Sequence, residues 1–269
     1  ISKICGICQQ NSVLKERYAL AKRIGNGGTA ESWKAYDKQE NQWVAIKEMP
    51  WRVQEGSKLQ ERFFREADFL RQMVHPSIPT YIDHFITKSG RRSTLHIVQQ
   101  FIDGQSLLDE MRHRRYSKDE VWDVAEELLS ILEYIHGLAP AIIHRDIKPS
   151  NIIRNNNKKL VLIDFGSARD ILTEFGLGAS TISGTFGYMS PEQIQGYATP
   201  KSDLYSVGAL LVHLLTRKAP NELTDHQLTI HWQEHCRLTP ALELFLQRLI
   251  AADSNQRMNS AQSAKRLLK

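Results

Sequence analysis

The stretch RIGNGGTAESWKA, Arg23 to Ala35, has the spacing of a phosphate-binding loop. Gly25 and Gly27 hold the first two positions of a G-x-G-x-x-G pattern, where backbone must approach phosphate oxygens closely and a side chain would obstruct it. Ala30 replaces the third glycine, adding one methyl, while Gly28 leaves compensating freedom; Ser32 stands where an apolar residue is usual. A second feature is a lysine and a glutamate that the local patterns bring together. Alternation in NQWVAIKEMP puts Trp43, Ala45 and Lys47 on one strand face and Val44, Ile46 and Glu48 on the other. Helical spacing of Leu59, Phe63, Leu70 and Val74 leaves Glu66 inside an apolar stripe, where an unpaired carboxylate is costly to desolvate. Lys47 is its expected partner; the alternative is a Glu66 that reaches solvent from the helix edge.

These residues need elements to hold them. From Tyr18 to about Phe101 the pattern is short strands and turns with one helix, opened by Ser57 with Gln60 at capping-box spacing. From about Leu107 long helical periods dominate. A helix starting after Ser117, with Glu120 completing the same box, places Val121, Val124, Leu128, Ile131 and Ile135 on one face. Two lobes of different character are expected. The apolar runs Ala141–Ile143, Ile152–Ile153 and Leu160–Ile163 frame two polar interruptions, with Asn155 to Asn157 as a hairpin turn. The longest apolar stretch, Leu204 to Leu215, contains His213 and is shorter than the roughly 20 residues of a membrane span, so it reads as a buried helix.

Four motifs in order carry a resemblance: VAIK at Val44–Lys47, HRDIKPSN at His144–Asn151, DFG at Asp164–Gly166 and GTFGYMSPEQ at Gly184–Gln193. Any one would be weak; together, correctly spaced over about Tyr18 to Leu268, they resemble the signature set of the eukaryotic-type (Hanks-type) serine/threonine protein kinase catalytic domain, bacterial-like. The resemblance implies an α+β bilobal kinase fold, a small antiparallel N-lobe with one helix at about 18–101 and a larger, mainly helical C-lobe at about 102–269. Residues 1–17 would be an extension carrying Cys5 and Cys8.

By the same resemblance, Asp146 orients the acceptor hydroxyl and takes its proton, Lys148 stabilises the transferring phosphate, and Lys47, fixed by Glu66, grips the α and β phosphates. Asn151 and Asp164 offer hard oxygen ligands to Mg²⁺, with Mn²⁺ an alternative. The ATP site comprises Gly25, Gly27, Gly28, Ser32, Lys47, Ala45 and Ile153 sandwiching the adenine, and Gln100 to Ile102 at its edge, behind a polar Gln99 gatekeeper. Ser32 in place of the usual valine costs on the order of 1 kcal/mol of apolar contact, which weakens ATP binding without abolishing transfer. Thr185 is expected near Asp146 and Lys148, a pairing that suits Ser/Thr acceptors. Glu192 and Arg257 match a buried ion pair, and Asp203 a brace of the catalytic loop. Leu70, Tyr81, His144 and Phe165 match an internal hydrophobic stack. Thr181, flanked by Ser180 and Ser183, lies where such domains carry an activation-loop phosphate, with Arg145 as its receptor and a transient homodimer as the means of autophosphorylation.

Composition narrows the alternatives. With 269 residues, 41% hydrophobic and 24% charged, the chain can bury a sizeable core. The net charge of +5 comes with two short basic clusters, Gly90–Arg92 and Arg112–Arg115, and no basic tail or aromatic stripe, so solvated surface is expected rather than nucleic-acid binding. Three cysteines build no disulfide framework, and Cys5-x-x-Cys8 lacks a second pair at zinc spacing, Cys236 being far away. No signal peptide is legible; a cytoplasmic protein with Ser/Thr protein substrates is expected. The rival readings are a nucleotide-binding pseudokinase, favoured by Ala30, Ser32 and Gln99, and a small-molecule kinase, opposed by GTFGYMSPEQ.

Overall fold

A computed structural model describes residues 13–26, 30–52, 64, 67–89, 92–170 and 185–268. The chain divides into two compact units after Asp103. The first is a six-stranded antiparallel sheet of β1 (Val13–Leu14), β2 (Tyr18–Asn26), β3 (Glu31–Asp37), β4 (Gln42–Arg52), β5 (Tyr81–Ser89) and β6 (Arg92–Gln100), in the order β1-β2-β3-β4-β6-β5. Its core is the side chains of Tyr18, Leu20, Trp33, Ala35, Val44, Ile46, Phe85 and Val98, all from the same sheet face. The alternation expected in β4 is present: Val44, Ile46 and Glu48 are buried, while Trp43 is exposed and Ala45 and Lys47 are half-buried. The β3–β4 hairpin closes around Asp37, which accepts Gln39 N–H at 3.0 Å and both Arg17 guanidinium donors at 2.7 and 2.6 Å. Those Arg17 hydrogen bonds outweigh burial and hold the Asp37 carboxyl below its ordinary pKa.

The helical stretch of this unit differs from its periodic reading in one place. Val74, placed by helical spacing on the buried stripe, is 85% exposed. Helical residues end at 72, ahead of Pro76, and it is Met73 that turns inward, at 4% exposure. Ala67, Phe69 and Leu70 are buried as an apolar helix face requires. The residues expected to open this helix, Ser57 to Phe63, lie outside the described residues.

The second unit carries the helices α1 (Leu107–His113), α2 (Lys118–His136), α3 (Pro191–Ile194), α4 (Pro200–Thr216), α5 (Pro240–Ile250) and α6 (Ala261–Arg266). Helix α2 begins with the expected box: Ser117 Oγ accepts Glu120 N–H at 3.1 Å and Glu120 Oε2 accepts Ser117 N–H at 2.7 Å. Val121, Val124, Leu128, Ile131 and Ile135 are buried along it. Helix α4 is buried nearly all round, as its apolar run requires, and packs on α5 through Gly208, where a Cβ would lie 2.5 Å from Ile250 Cγ2. No helix among the described residues is long and apolar enough to cross a membrane.

Two small sheets present the polar loops. Strands β9 (Ile152–Asn155) and β10 (Leu160–Leu162) form the expected hairpin, its turn built on Asn155 Oδ1, which accepts Asn157 N–H at 3.0 Å and Lys159 N–H at 2.9 Å. β7 (Gly104–Ser106) adds to β9 on its other side, pairing Gly104 with Asn155. A Cβ on Gly104 would lie 2.2 Å from Arg154 O, so this pairing admits no side chain there. β8 (Ile142–Ile143) pairs with β11 (Arg169–Asp170), bracketing the segments that hold Asp146 and Asp164.

Candidate active site

The polar loop after β8 is fixed from beneath by a buried carboxylate. Asp203, in the first turn of α4 and fully buried, accepts His144 N–H and His136 Nε2–H on Oδ2 and Arg145 N–H on Oδ1, each at 2.9 Å. Burial opposes its ionisation, but the hydrogen bond to His136 and those from the backbone outweigh burial and keep the carboxyl below its ordinary range. Arg145 consequently sits at φ 71°, a left-handed conformation unusual for a residue with a Cβ, and its carbonyl accepts Gln193 Nε2–H at 2.7 Å. Backbone strain at one residue is thus held from both sides.

That posture presents Asp146. Its Oδ1 accepts the Thr185 hydroxyl at 2.8 Å, and its Oδ2 accepts Lys148 Nζ–H at 2.8 Å and Asn151 Nδ2–H at 3.0 Å. Lys148 also donates to Thr185 Oγ1 at 2.6 Å, closing a triangle of carboxylate, ammonium and hydroxyl. The side chains of Asp146 and Lys148 keep 12% and 23% of their surface exposed, so the group is held yet reachable. His144 lies beneath, its Nδ1 accepting Asp146 N–H at 3.3 Å and its Nε2–H donating to Ile163 O at 3.3 Å. Complete burial pushes its pKa down, which keeps the imidazole neutral in the tautomer those two bonds need. Phe165 meets the His144 ring edge-on at 4.7 Å.

Asn151 has its amide nitrogen committed twice, to Asp146 Oδ2 and to Asp146 O at 2.8 Å, which leaves Oδ1 as its outward atom. Ile163 N–H donates to Asn151 O at 2.9 Å and so ties this residue to the strand end that precedes Asp164. Asp164 has φ 66° and accepts Gly166 N–H on Oδ1 at 3.3 Å. An amide oxygen and a carboxylate are the donor chemistry of Mg²⁺, an ion that takes few protein ligands and completes its shell with phosphate oxygens and water. No group of three or more His, Cys, Asp or Glu side chains that could hold a metal by themselves occurs among the described residues.

In the first unit Gly25, Ser32, Ala45 and Lys47, four of the expected nucleotide residues, share one sheet face. Ser32 stands opposite Lys47 across β3 and β4, Gly25 stands opposite Ser32 across β2 and β3, and Ala45 stands opposite Gln99 across β4 and β6. A Cβ on Gly25 would lie 3.4 Å from Ser32 Cβ, so the serine fills space that the glycine vacates. Gln100 is anchored by its N–H to Thr80 O at 2.8 Å, and Ile102 follows half-buried. Lys34 places Nζ 4.6 Å from the Trp43 ring and 4.2 Å from the Phe101 ring, pinning the end of β6 to the sheet.

Comparison with known proteins decides the family. The protein kinase domain model matches residues 18–268. The chain is 35% identical over 266 residues to serine/threonine-protein kinase PknA of Nostoc sp., covering 93% of this chain and 46% of that protein. Against serine/threonine-protein kinase D of Synechocystis sp. it is 32% identical, covering 94% and 52%; against the probable serine/threonine-protein kinase PknB of Lactococcus lactis it is 31% identical, covering 79% and 33%. The chain belongs to the protein kinase family.

The chain spans about half the length of the first curated proteins it matches. Its second unit contains the expected ion pair: Glu192 and Arg257 form a two-pronged pair at 2.6 and 2.7 Å, with Ser202 Oγ donating to Glu192 Oε1 at 2.7 Å. Burial acts against the Glu192 charge, yet the Arg257 hydrogen bonds prevail and lower its pKa. Ile153 is half-buried beside the buried Ile152, the first exposing an edge that the second does not. Arg145 is 1% exposed. Glu66, Gly27, Gly28, Thr181, Ser180 and Ser183, with Cys5 and Cys8, lie outside the described residues.

The sequence reading missed three residues that this kinase domain uses to hold the site: Gln193 on the Arg145 carbonyl, His136 on Asp203, and His213 on Tyr188. No local period marks them. The usable signal was a polar residue in an apolar context, His213 inside the apolar run of α4 and His136 at the end of the apolar face of α2.

Proposed function

We propose that this domain transfers the γ-phosphoryl group of ATP to Ser and Thr hydroxyls of protein substrates and phosphorylates its own activation loop. The observation that carries the reading is the triangle of Asp146, Lys148 and Thr185, closed at 2.6 to 2.8 Å and supported from below by Asn151 and His144. A carboxylate in that position aligns an incoming hydroxyl and receives its proton as the new O–P bond forms and the bond to the leaving ADP oxygen breaks. Lys148, within bonding distance of both other members, offsets charge on the transferring group. Thr185 beside Lys148 narrows the approach to short aliphatic hydroxyls. Asn151 Oδ1 and the Asp164 carboxylate would hold Mg²⁺, which neutralises phosphate charge when bound. By the family resemblance, Lys47 with Glu66 would bind the α and β phosphates, Gly25, Gly27 and Gly28 would serve the phosphates, and Ala45, Ile153 and the strip Gln100 to Ile102 would serve the adenine; Ser32 in place of valine would loosen ATP binding.

The activation-loop acceptor is Thr181, or Ser180 or Ser183 beside it, phosphorylated by a second copy in passing contact. Arg145 is the cation for that phosphate, through charge-assisted hydrogen bonds. Incubation of the purified domain with Mg-ATP and a degenerate Ser/Thr peptide library, followed by phosphosite mapping, tests the reading. Phosphate is expected on Ser or Thr of the peptides and within residues 180–183, lost in Asp164→Asn. Nucleotide binding with no transfer by the parent protein would instead establish a pseudokinase.

A further inference from the structure

The turn from Thr185 to Tyr188 is fixed at both ends and open in the middle. At its start Thr185 bonds to Asp146 and Lys148. At its end Tyr188, 9% exposed, is bound to α4 twice: Ser206 Oγ donates to Tyr188 O at 2.7 Å, and the Tyr188 hydroxyl meets His213 Nδ1 at 2.5 Å. Tyr188 N–H donates to Thr185 O at 3.0 Å, closing the turn. Its apex is Phe186, 63% exposed, and Gly187, at φ 94°, where a Cβ would lie 3.0 Å from Asn221 N. Phe186 is therefore displayed to solvent while the two ends of the turn are held.

The direction of the Tyr188–His213 bond follows from acid strength. A phenol is a far better proton donor than a neutral imidazole N–H, and an imidazole nitrogen a better acceptor than a phenol oxygen, so Oη–H donates to Nδ1. Both groups have the protonation this needs: burial holds the Tyr188 phenol well above its ordinary pKa, and burial lowers that of His213 despite the charge of Glu222 nearby.

We propose that His213 is a positioning residue for the peptide-seating turn, its Nδ1 holding Tyr188 so that the Phe186–Gly187 apex meets a protein substrate already ordered. This rests on the kinase reading above. None of the hydrogen bonds of Tyr188 goes to the oxygen donors Asn151 and Asp164, so we assign the bond to His213 to substrate protein and not ATP. Without the acceptor a buried phenol O–H is left unbonded and the turn loses one of its two attachments to α4. A substrate must then order the turn as it binds, and that ordering subtracts from its affinity.

The test uses the whole domain, Mg-ATP and a Ser peptide selected from the library on the parent protein, with His213→Leu, His213→Gln, Tyr188→Phe and the double variant His213→Leu/Tyr188→Phe. Loss of one such bond should raise the peptide KM about fivefold to tenfold in each of His213→Leu and Tyr188→Phe, leaving the ATP KM within about twofold. Gln, which offers an acceptor, should recover most of the loss, and the double variant should be no worse than either single one. Tyr188→Phe removes a single oxygen and serves if His213→Leu does not fold. Peptide KM values unchanged throughout, additive losses in the double variant, or parallel rises in peptide and ATP KM would each overturn the proposal. A parent protein that phosphorylates no peptide would overturn the kinase reading, whereas an active parent with indifferent variants overturns only this inference.

Discussion

Replacing Asp203 by Asn tests whether one buried carboxylate sets the geometry of the catalytic loop. Asp203 receives three N–H donors on two oxygens, and an asparagine keeps only one oxygen. The less costly orientation turns the carbonyl toward His144 N–H and His136, leaving the new NH₂ facing Arg145 N–H. That loses one hydrogen bond to a charged acceptor, about 1.5–3 kcal/mol, and strands a buried donor, about 1–3 kcal/mol. The two surviving bonds also fall from charge-assisted to neutral strength. A total near 4 kcal/mol agrees with the roughly 3–5 kcal/mol expected when one partner of a buried charged network is removed. For a chain of this size about 1 kcal/mol corresponds to roughly 2–4 °C, so Tm should fall by about 10 °C.

The effect on chemistry should exceed the effect on folding at assay temperature. Arg145 at φ 71° is held by Asp203 on its N–H and by Gln193 on its carbonyl; releasing one lets it relax and carries the neighbouring Asp146 with it. A displacement near 1 Å at the reacting group costs about 100-fold. Thermal unfolding and kcat for peptide phosphorylation, measured at a temperature where the variant is folded, check the two parts separately. An Asp203→Asn protein that melts within about 2 °C of the parent and retains more than about half its kcat would refute the reasoning, because the bonds would then be worth far less than their burial requires.

Thr185→Val keeps the shape of the side chain and removes the hydroxyl that joins Asp146 to Lys148; kcat/KM for peptide should fall about 10- to 100-fold while urea unfolding changes by no more than about 1.5 kcal/mol. The Glu192 carboxyl has a pKa below its ordinary 4.5, so its contribution to stability is complete above about pH 4.5 and is lost as pH falls through the depressed folded value, because the unfolded chain takes the proton first. Glu192→Gln should therefore be less stable at pH 7 and show a shallower decline below about pH 4.5 in urea titrations at several pH values; equal slopes in parent and variant would remove Glu192 from the acid limb.

What the sequence made legible was mostly periodic or local. Alternation put Val44, Ile46 and Glu48 on one strand face, which proves to be the buried one, the Ser117 box gave the start of α2, and an apolar run with one histidine gave α4. Motif resemblance placed Thr185 beside Asp146 and Lys148 and paired Glu192 with Arg257, contacts that no periodicity contains. Val74 misled because helical spacing cannot register where a helix ends, and the stop two residues later, Pro76, acts through backbone sterics rather than hydrophobicity. β7 was illegible for another reason: three residues pair with β9 some fifty positions on, and only the close approach at Gly104 reveals it. Gln193, His136 and His213 are side-chain contacts between distant segments, which one sequence does not encode in any pattern of its own.

The positions of those contacts along α4 show why the second unit can hold several loops in register. Ser202, Asp203, Ser206 and His213 are polar residues on a helix otherwise buried in apolar packing, and each is spent on a different client: Glu192, the catalytic loop, the Tyr188 carbonyl and the Tyr188 hydroxyl. Burying a polar group without a partner costs more than a satisfied hydrogen bond returns, so a helix of this composition is stable only in the one rotation that satisfies them together. Turning it by a single residue, about 100°, would strand all four at once. Apolar packing alone would tolerate sliding of nearly equal energy; the polar residues remove that tolerance. The loop that holds Asp146 and the Thr185–Tyr188 turn are therefore referenced to the same helix, and that common anchorage supports the direct hydrogen bonds that join Asp146 and Lys148 to Thr185.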